Sequence, residues 1–404
     1  MKDQRKFIHF HCFVFLFIIY PFTLSSTEYL TIGGEKHGWE VSVHPDRGTI
    51  KQFRQLMGDV WETIPFRDDS LAGPAWSGMQ LCPSKKQLYV FEAHQGDIYY
   101  TLRYKAAYDH LIVECTISNR GDDVFRPEYS RLFIGVDSEM KTYPDWDTKF
   151  FPTLLRCEKD FAWGYFMSPR QIIMGIGVEE PVASYTLNYV YEGSMEWKWG
   201  HQIKTGSLDL LHCLPLPERH PQNNISLKPH ETRKWTLHLG VVDRLAGVKE
   251  KLSQWIQAPM IECEKYTMAG HETSRLLIHS QSGLEKLIVK APDGTQSVLP
   301  VDGVADNVYS ALFSPSSQKG LYRITATAIN GKTAEAGIYI RNPWSWYMKN
   351  ARDFVARNPP LFSNGCEAFY GYYTAFLGAR HFPETSVDSI PVSYTHLRAH
   401  ETDS

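Results

Sequence analysis

The chain has 404 residues, a formal net charge of −3 and an ordinary globular composition, with 43% hydrophobic residues. This length predicts two or three domains, and the near-neutral charge excludes both the basic stripe of a nucleic-acid-binding protein and an acidic tail. The aromatic content of 13% fits either large buried β cores or sugar-stacking surfaces, and burial is the commoner reason for such residues.

The N-terminal residues have the features of an export signal. Lys2, Arg5 and Lys6 precede the apolar run "FVFLFIIY", and small residues follow in "TLSST". The apolar run is shorter than the roughly 20 residues that a membrane span needs. We therefore predict a signal peptide over residues 1–26, export to the periplasm or the extracellular space, and no stable membrane span after cleavage.

Residues 27–258 have the pattern of one large β domain. Apolar and polar residues alternate in segments such as "WEVSVH", "LIVECTIS" and "RKWTLHLGVV", and turn clusters such as "HPDRGT" and "SNRGDD" separate them. A helical pattern occurs only at the end of this block, in "LAGVKEKLSQWIQ". Many strands without intervening helices predict a large antiparallel β-sandwich.

Residues 259–341 predict a second, smaller β unit. Strand patterns recur at regular spacing from "SRLLIHS" to "LYRITATAINGKTAEAGIYI", which is typical of an immunoglobulin-like β-sandwich. In the last segment, Asn330 and Gly331 predict a two-residue type I′ hairpin. We predict no functional site in this unit.

Residues 342–391 predict the start of a helical domain. "WSWYMKNARDFVAR" has apolar residues at helical spacing, "NPPLFSNG" ends that helix, and "CEAFYGYYTAFLGARHF" begins another. Aromatic residues occupy nearly every side of this other helix, so it should be buried by further helices. The predicted fold class is therefore mostly β, with a truncated α C-terminus.

Residues 392–404 differ in character from everything before them. "VSYTHLRAHET" has no apolar period, and it resembles one reading-frame translation of a transposase adapter used in sequencing libraries. We therefore expect this tail to be an assembly artefact and the protein to be a fragment, inactive as it stands. His396 and His400 have the four-residue spacing of a zinc site on a helix but belong to this tail, so we predict no metal site.

Three longer segments carry a resemblance to a known architecture: "VECTISNRGDDVFRP", "NNISLKPHETRKWTLHLGVV" and "SNGCEAFYGYYTAFLGARHFP". The first two resemble strands of a galactose-mutarotase-like β-supersandwich, and the third resembles the first helical hairpin of an (α/α)6 toroid, the six-hairpin glycosidase fold. The order of domains resembles exported bacterial polysaccharide-degrading enzymes, and among named groups glycoside hydrolase family 154, which is β-glucuronidase-like. The resemblance implies hydrolysis of a polysaccharide or oligosaccharide, with glucuronic-acid-containing glycans as candidate substrates and no cofactor.

Glycoside hydrolysis needs two carboxyl groups beside the scissile bond, and the helical segment offers one of them. We predict Glu367 as a catalytic residue, with Tyr370 and Tyr373 beside it as substrate-binding residues. The alternative is that Glu367 accepts hydrogen bonds from backbone N–H groups in the first turn of its helix.

Two stretches of the first β domain offer further substrate-binding residues. Asp145, Trp146 and Asp147 in "YPDWDTKFFP" would line a sugar cleft, although such a turn more often carries solvated carboxylates. Trp197 and Trp199 in "MEWKWGHQ" lie on one face of a predicted strand and would stack on a pyranose if exposed. Burial in a core or a domain interface is the commoner alternative.

Two other kinds of protein remain open besides the hydrolase. A polysaccharide lyase on the same toroid would need a Tyr or His base beside an Arg or Asn that neutralises the sugar carboxylate. A non-enzymatic glycan-binding protein would need neither. A mutarotase would need a histidine acid and a carboxylate base, and the sequence shows no acid that clearly belongs to His94, His110, His201 or His212.

Overall fold

The computed structural model describes residues 28–66, 76–83, 85, 87–134, 151–168, 170–190, 202–213, 221, 223–316 and 318–357. The first part contains strands β1 (Leu30–Gly34), β2 (Trp39–Val43), β3 (Ile50–Met57), β4 (Val60–Pro65), β5 (Gln80–Leu81), β6 (Leu88–Gln95), β7 (Ile98–Ala106), β8 (Leu111–Asn119), β9 (Tyr129–Ile134), β10 (Phe151–Cys157), β11 (Ala162–Met167), β12 (Ile173–Val178), β13 (Ser184–Val190), β14 (Gln202–His212) and β15 (Thr232–Val242). A 3₁₀ turn (Leu245–Gly247) leads into helix α1 (Val248–Ile256). The second part contains β16 (Met260–Cys263), β17 (Thr267–Ala269), β18 (Ser274–His279), β19 (Leu284–Lys290), β20 (Gln296–Val298), β21 (Gly303–Ala305), β22 (Val308–Phe313), β23 (Gly320–Ala328) and β24 (Thr333–Arg341), and helix α2 (Trp344–Arg357) follows.

The first fifteen strands form a sandwich of antiparallel sheets. An eight-stranded sheet in the order β10-β11-β12-β15-β8-β7-β6-β5 forms one layer, and the sheets β1-β2-β3-β4 and β13-β14-β9 lie against it. In strands such as β8, alternate residues point into the shared core. This core joins Phe53 of β3, Val113 of β8 and Leu208 of β14 in one apolar cluster. This confirms the alternation read from the sequence.

Helix α1 packs on the outer face of the eight-stranded sheet, where glycines allow a close approach. A Cβ atom on Gly177 of β12 would lie 2.5 Å from Cγ2 of Ile256, and one on Gly240 of β15 would lie 2.8 Å from Trp255. Real Cβ contacts are longer than this, so the helix could not sit at this depth over larger residues.

The second sandwich pairs a four-stranded sheet, β16-β18-β22-β21, with a five-stranded sheet, β17-β24-β23-β19-β20. Its core includes Leu276, Ile324 and Ile338, and the same apolar cluster extends to Trp163 of the first sandwich and Leu252 of α1. The second sandwich, the connecting helix and part of the first sandwich therefore share one apolar cluster, which is separate from the main core of the first sandwich. Within the described ranges, neither helix has the length and apolarity needed to cross a bilayer.

The hairpin between β23 and β24 occurs where Asn330 and Gly331 predict it, but the turn type differs. Gly331 has a positive φ of 86°, and Asn330 does not share it, so the turn is not type I′. The N–H of Ala328 donates to the carbonyl oxygen of Lys332 over 2.9 Å, which closes a three-residue loop. The predicted fold class, mostly β with antiparallel sheets, is confirmed, whereas the second predicted helix lies outside the described residues.

Candidate functional site

The site residues predicted from the sequence all lie outside the described part of the chain. They are Asp145, Trp146, Asp147, Trp197, Trp199, Glu367, Tyr370 and Tyr373. Their roles therefore stay predictions. The described residues contain a different cluster of polar and aromatic side chains, on the sheet β13-β14-β9.

One face of this three-stranded sheet is apolar and the other is polar. Leu132 and Leu208 point into the sandwich core. The register pairs Arg131 with Asp209, Tyr129 with His212, and Ser184 with Asp209, which places these residues on the opposite side. We call this side the polar face; it comprises Tyr129, Arg131, Ser184, Thr186, Ser207, Asp209 and His212.

Asp209 lies at the centre of the polar face and is only 1% exposed. Its Oδ1 atom accepts a hydrogen bond from Nε of Arg131 over 2.9 Å. Its Oδ2 atom accepts hydrogen bonds from the hydroxyl groups of Ser184 over 2.6 Å and Thr186 over 3.2 Å. A buried carboxylate requires such donors, since its desolvation is otherwise costly.

Three side chains are stacked beside this carboxylate. Cζ of Arg131 lies 3.7 Å from the centroid of the Tyr129 ring, a cation–π contact. The Tyr129 and His212 rings stack nearly parallel, with centroids 4.6 Å apart. A register shift between Asp209 and Leu211 brings His212 to the same side as Asp209, because an extra residue changes the alternation.

The polar face also holds buried polar atoms without a partner among the described residues. They are both ring nitrogens of His212 and the hydroxyl of Ser207. Buried polar groups are almost always hydrogen-bonded, so such atoms call for an explanation, and a ligand is one. Arg131 remains 26% exposed. The face therefore has a buried floor with an accessible cation beside it.

A second cluster of titratable groups lies under α1. His110 and His238 contact each other, and each contacts a carboxylate, Asp109 or Glu179. No sequence pattern singles out His238, since it lies inside the regular strand segment "RKWTLHLGVV". Helix α1 packs over this cluster through Trp255, whose ring stacks on His110, so the cluster belongs to the packing of the helix against the sheet.

A shallow groove of about 460 Å³ lies near the start of the described chain, between Tyr29 and Tyr89. Gln87 lines it, but its side-chain amide is already bonded to both backbone groups of Gly33. The polar face is the stronger candidate, because a partly exposed cation, Arg131, lies beside buried polar atoms that have no partner among the described residues.

Among the described residues, no group of three or more His, Cys, Asp or Glu side chains is arranged to hold a metal ion.

No known family model matches the chain, and no curated protein matches it. Among solved structures, the chain is similar to a polysaccharide lyase, with a TM-score of 0.57 and 16% identity over 79% of this chain and 48% of the lyase. The chain thus spans about half the length of that protein. It is also similar to a galactose mutarotase related enzyme from Lactobacillus acidophilus, with a TM-score of 0.32 and 6% identity over 54% of this chain and 98% of that one. A galactose mutarotase-like protein from Lactobacillus casei gives a TM-score of 0.31 and 9% identity over 53% and 100% of the two chains.

Proposed function

We propose that the protein is part of an enzyme that degrades an acidic polysaccharide, and that the polar face binds a uronic acid unit of that substrate. The similarity in fold to a polysaccharide lyase, over 79% of this chain, is the observation that supports this proposal most. The match extends through more of the chain than the first sandwich alone. The sequence resemblance to polysaccharide-degrading enzymes supports the same class.

The chemistry of the polar face favours β-elimination over hydrolysis. Elimination needs a base that takes the proton from C5 of the uronic acid and a cation that neutralises its carboxylate. The C4–O4 bond then breaks, a C4=C5 double bond forms, and O4 takes up a proton from the protonated base or from water as it leaves. His212 supplies an imidazole without a partner among the described residues, and Arg131 supplies the cation.

Arg131 is already oriented for this role. Its Nε atom donates to Asp209 and its guanidinium lies over the Tyr129 ring, so in this proposal the two Nη nitrogens bind the substrate carboxylate. Guanidinium groups bind carboxylates through two parallel hydrogen bonds. Hydrolysis would require two carboxyl groups, whereas Asp209 is the one carboxylate on the polar face as described, and three donors occupy it.

Hydrolysis by a glycoside hydrolase of family 154 is the second candidate. The pattern "SNGCEAFYGYY" supports it, with Glu367 as one carboxyl group and Tyr370 and Tyr373 beside the substrate. In this proposal a second carboxyl group completes the catalytic pair. Export by an N-terminal signal accompanies either reaction, because polymeric substrates lie outside the cell.

The two reactions leave different products, so one assay distinguishes them. The enzyme encoded by the complete gene would be incubated with uronic-acid polysaccharides, and both reducing ends and ultraviolet absorbance would be measured. Elimination produces an unsaturated, absorbing sugar together with each new reducing end, and this is the expected result. Reducing ends without absorbance would show hydrolysis, and the absence of both would contradict the proposed degradation.

A further inference from the structure

Two buried histidines form a continuous chain of contacts between two carboxylates under α1. Nδ1 of His110 lies 2.7 Å from Oδ1 of Asp109, and Nε2 of His110 lies 2.8 Å from Nδ1 of His238. Nε2 of His238 then lies 2.8 Å from Oε1 of Glu179. His110 is 7% exposed and His238 is 3% exposed, so the protein itself must satisfy these ring nitrogens.

The number of protons shared by these four side chains follows from the geometry of their three contacts. Each of the three contacts has hydrogen-bond length and therefore needs one hydrogen between its two atoms. Two neutral imidazoles carry one N–H group each, which supplies two hydrogens for three contacts. A third proton must be present, either on a carboxyl group or on one of the rings.

The surroundings assign the third proton to a ring. Although burial favours the neutral acid, hydrogen bonds from His110 and Lys251 lower the pKa of Asp109 to about 2. Burial likewise opposes ionisation of Glu179, but the hydrogen bond from His238 lowers its pKa. Both carboxyl groups are therefore ionised at neutral pH. Burial lowers the pKa of His110 to about 4, so that ring stays neutral.

Other elements place further charged groups around these four side chains. Helix α1 contributes Lys251, which pairs with Asp109, and Trp255, which stacks on His110 with ring centroids 4.6 Å apart. The turn between β23 and β24 contributes Lys332, which donates to the carbonyl oxygen of Ile256 over 2.8 Å. Among the described residues, Lys234, Glu180 and Asp160 also face this region.

We propose that the linked side chains of Asp109, His110, His238 and Glu179 hold one proton more than two neutral imidazoles supply. His238 carries this proton as an imidazolium, and the proton thereby holds α1 against the eight-stranded sheet. His238 donates to Glu179 through Nε2 and to His110 through Nδ1, and His110 donates to Asp109. When alkaline pH removes the extra proton, His238 keeps its remaining N–H for the Glu179 carboxylate, and its Nδ1 lone pair then faces the Nε2 lone pair of His110 across 2.8 Å. The contact becomes repulsive, and the junction of the two sandwiches loosens.

The protonation state is measurable by NMR on the whole chain labelled with ¹⁵N-histidine. Two-bond ¹H–¹⁵N spectra distinguish an imidazolium from each neutral tautomer, and His110→Gln and His238→Gln variants assign the two rings. We expect an imidazolium at His238 and a neutral ring protonated on Nδ1 at His110 at neutral pH. A neutral His238 ring in the wild-type chain would overturn the proposal.

Glu179→Gln provides a second test that does not require the contact to be broken. The glutamine amide donates its own hydrogen to Nε2 of His238, so two neutral rings then complete the chain. We expect the imidazolium signal to disappear in this variant and to remain in the control Glu250→Gln, which changes an exposed acid of α1. An imidazolium that persists in Glu179→Gln would overturn the assignment of Glu179 as its partner.

Hydrogen exchange reports the consequence for the helix. Protection factors of the α1 amides should fall at alkaline pH in the wild-type chain and change less in Glu179→Gln. Equal behaviour of the two proteins would overturn the fastening role of the proton.

Discussion

Asp209 and Arg131 form an ion pair across β14 and β9, in which Nε of Arg131 donates to Oδ1 of Asp209 over 2.9 Å. The two partners differ in exposure, since Asp209 is buried and Arg131 remains 26% exposed. Asp209 therefore fixes the position of a cation that a ligand can still reach. This relationship links the stability of the sheet to the binding role proposed for its polar face.

Replacement of Asp209 should destabilise the protein. In Asp209→Ala, the guanidinium of Arg131 and the hydroxyls of Ser184 and Thr186 lose their acceptor. We expect the free energy of unfolding to fall by about 2–3 kcal/mol, below the cost for a fully buried pair because Arg131 is partly hydrated. Urea unfolding measures this loss of unfolding free energy. The control Asp243→Ala, at an exposed position, should change stability by less than about 0.5 kcal/mol. Equal effects of the two variants would contradict a structural role for the pair.

His212 should matter for reaction more than for folding. Its ring nitrogens have no partner among the described residues, so His212→Gln breaks no hydrogen bond seen there, although it removes the stack on Tyr129. If His212 is the base of an elimination, the rate should fall by about 100-fold or more, with binding of the polysaccharide largely kept. His230→Gln, at a side chain that is 67% exposed, is the matched control. An unchanged elimination rate in His212→Gln would exclude this histidine as the base.

Gly177 should tolerate no larger residue while Ile256 is in place. A Cβ atom there would lie 2.5 Å from Cγ2 of Ile256, so we expect Gly177→Ala to reduce the free energy of unfolding by about 1–3 kcal/mol. Gly247→Ala is the comparison, because its Cβ atom would meet Arg244 at an ordinary 3.4 Å. In the double variant Gly177→Ala/Ile256→Ala, the loss should be smaller than the sum of the single losses. Strict additivity would argue against the proposed clash.

The pH dependence of stability should carry a contribution from His110. Burial lowers the pKa of this ring from 6.5 to about 4, so the unfolded chain binds a proton that the folded chain does not. The stability that His110 contributes is therefore complete above pH 6.5 and declines as the pH falls towards 4. His110→Gln should show a smaller loss of unfolding free energy over this interval. If the unfolding free energies of the wild-type chain and His110→Gln changed in parallel with pH, the proposed contribution of His110 would be contradicted.

The sandwich architecture was readable from the sequence because strand alternation is a local pattern. In "LIVECTIS", the alternation predicts that Cys115 points inward, and Cys115 is fully buried. The hairpin at Asn330 and Gly331 was also readable, but its turn type was not. That detail depends on how many residues separate the last paired positions, which the two loop residues alone do not determine.

The polar face was not predicted, because its residues converge only through strand register. Tyr129 and Arg131 lie on β9 and His212 lies on β14, which are far apart in the sequence. A bulge near Leu211 sets the side on which His212 lies. One signal was present: Asp209 stands inside the apolar run of "SLDLLH". An acid within a buried strand needs a partner, and that partner marks the site.

Affinity electrophoresis tests most directly whether the polar face binds an acidic polysaccharide. The chain would be run through gels that contain an acidic or a neutral polysaccharide, together with Arg131→Lys and the control Arg103→Gln, at an exposed position of β7. Lysine retains a charge beside Asp209 but lacks the planar guanidinium that binds a carboxylate through two hydrogen bonds. We predict retardation by the acidic polymer alone, with affinity about tenfold weaker in Arg131→Lys and unchanged in Arg103→Gln. Retardation of Arg131→Lys equal to that of the wild-type chain, or no retardation of the wild-type chain, would contradict the proposed role of the polar face.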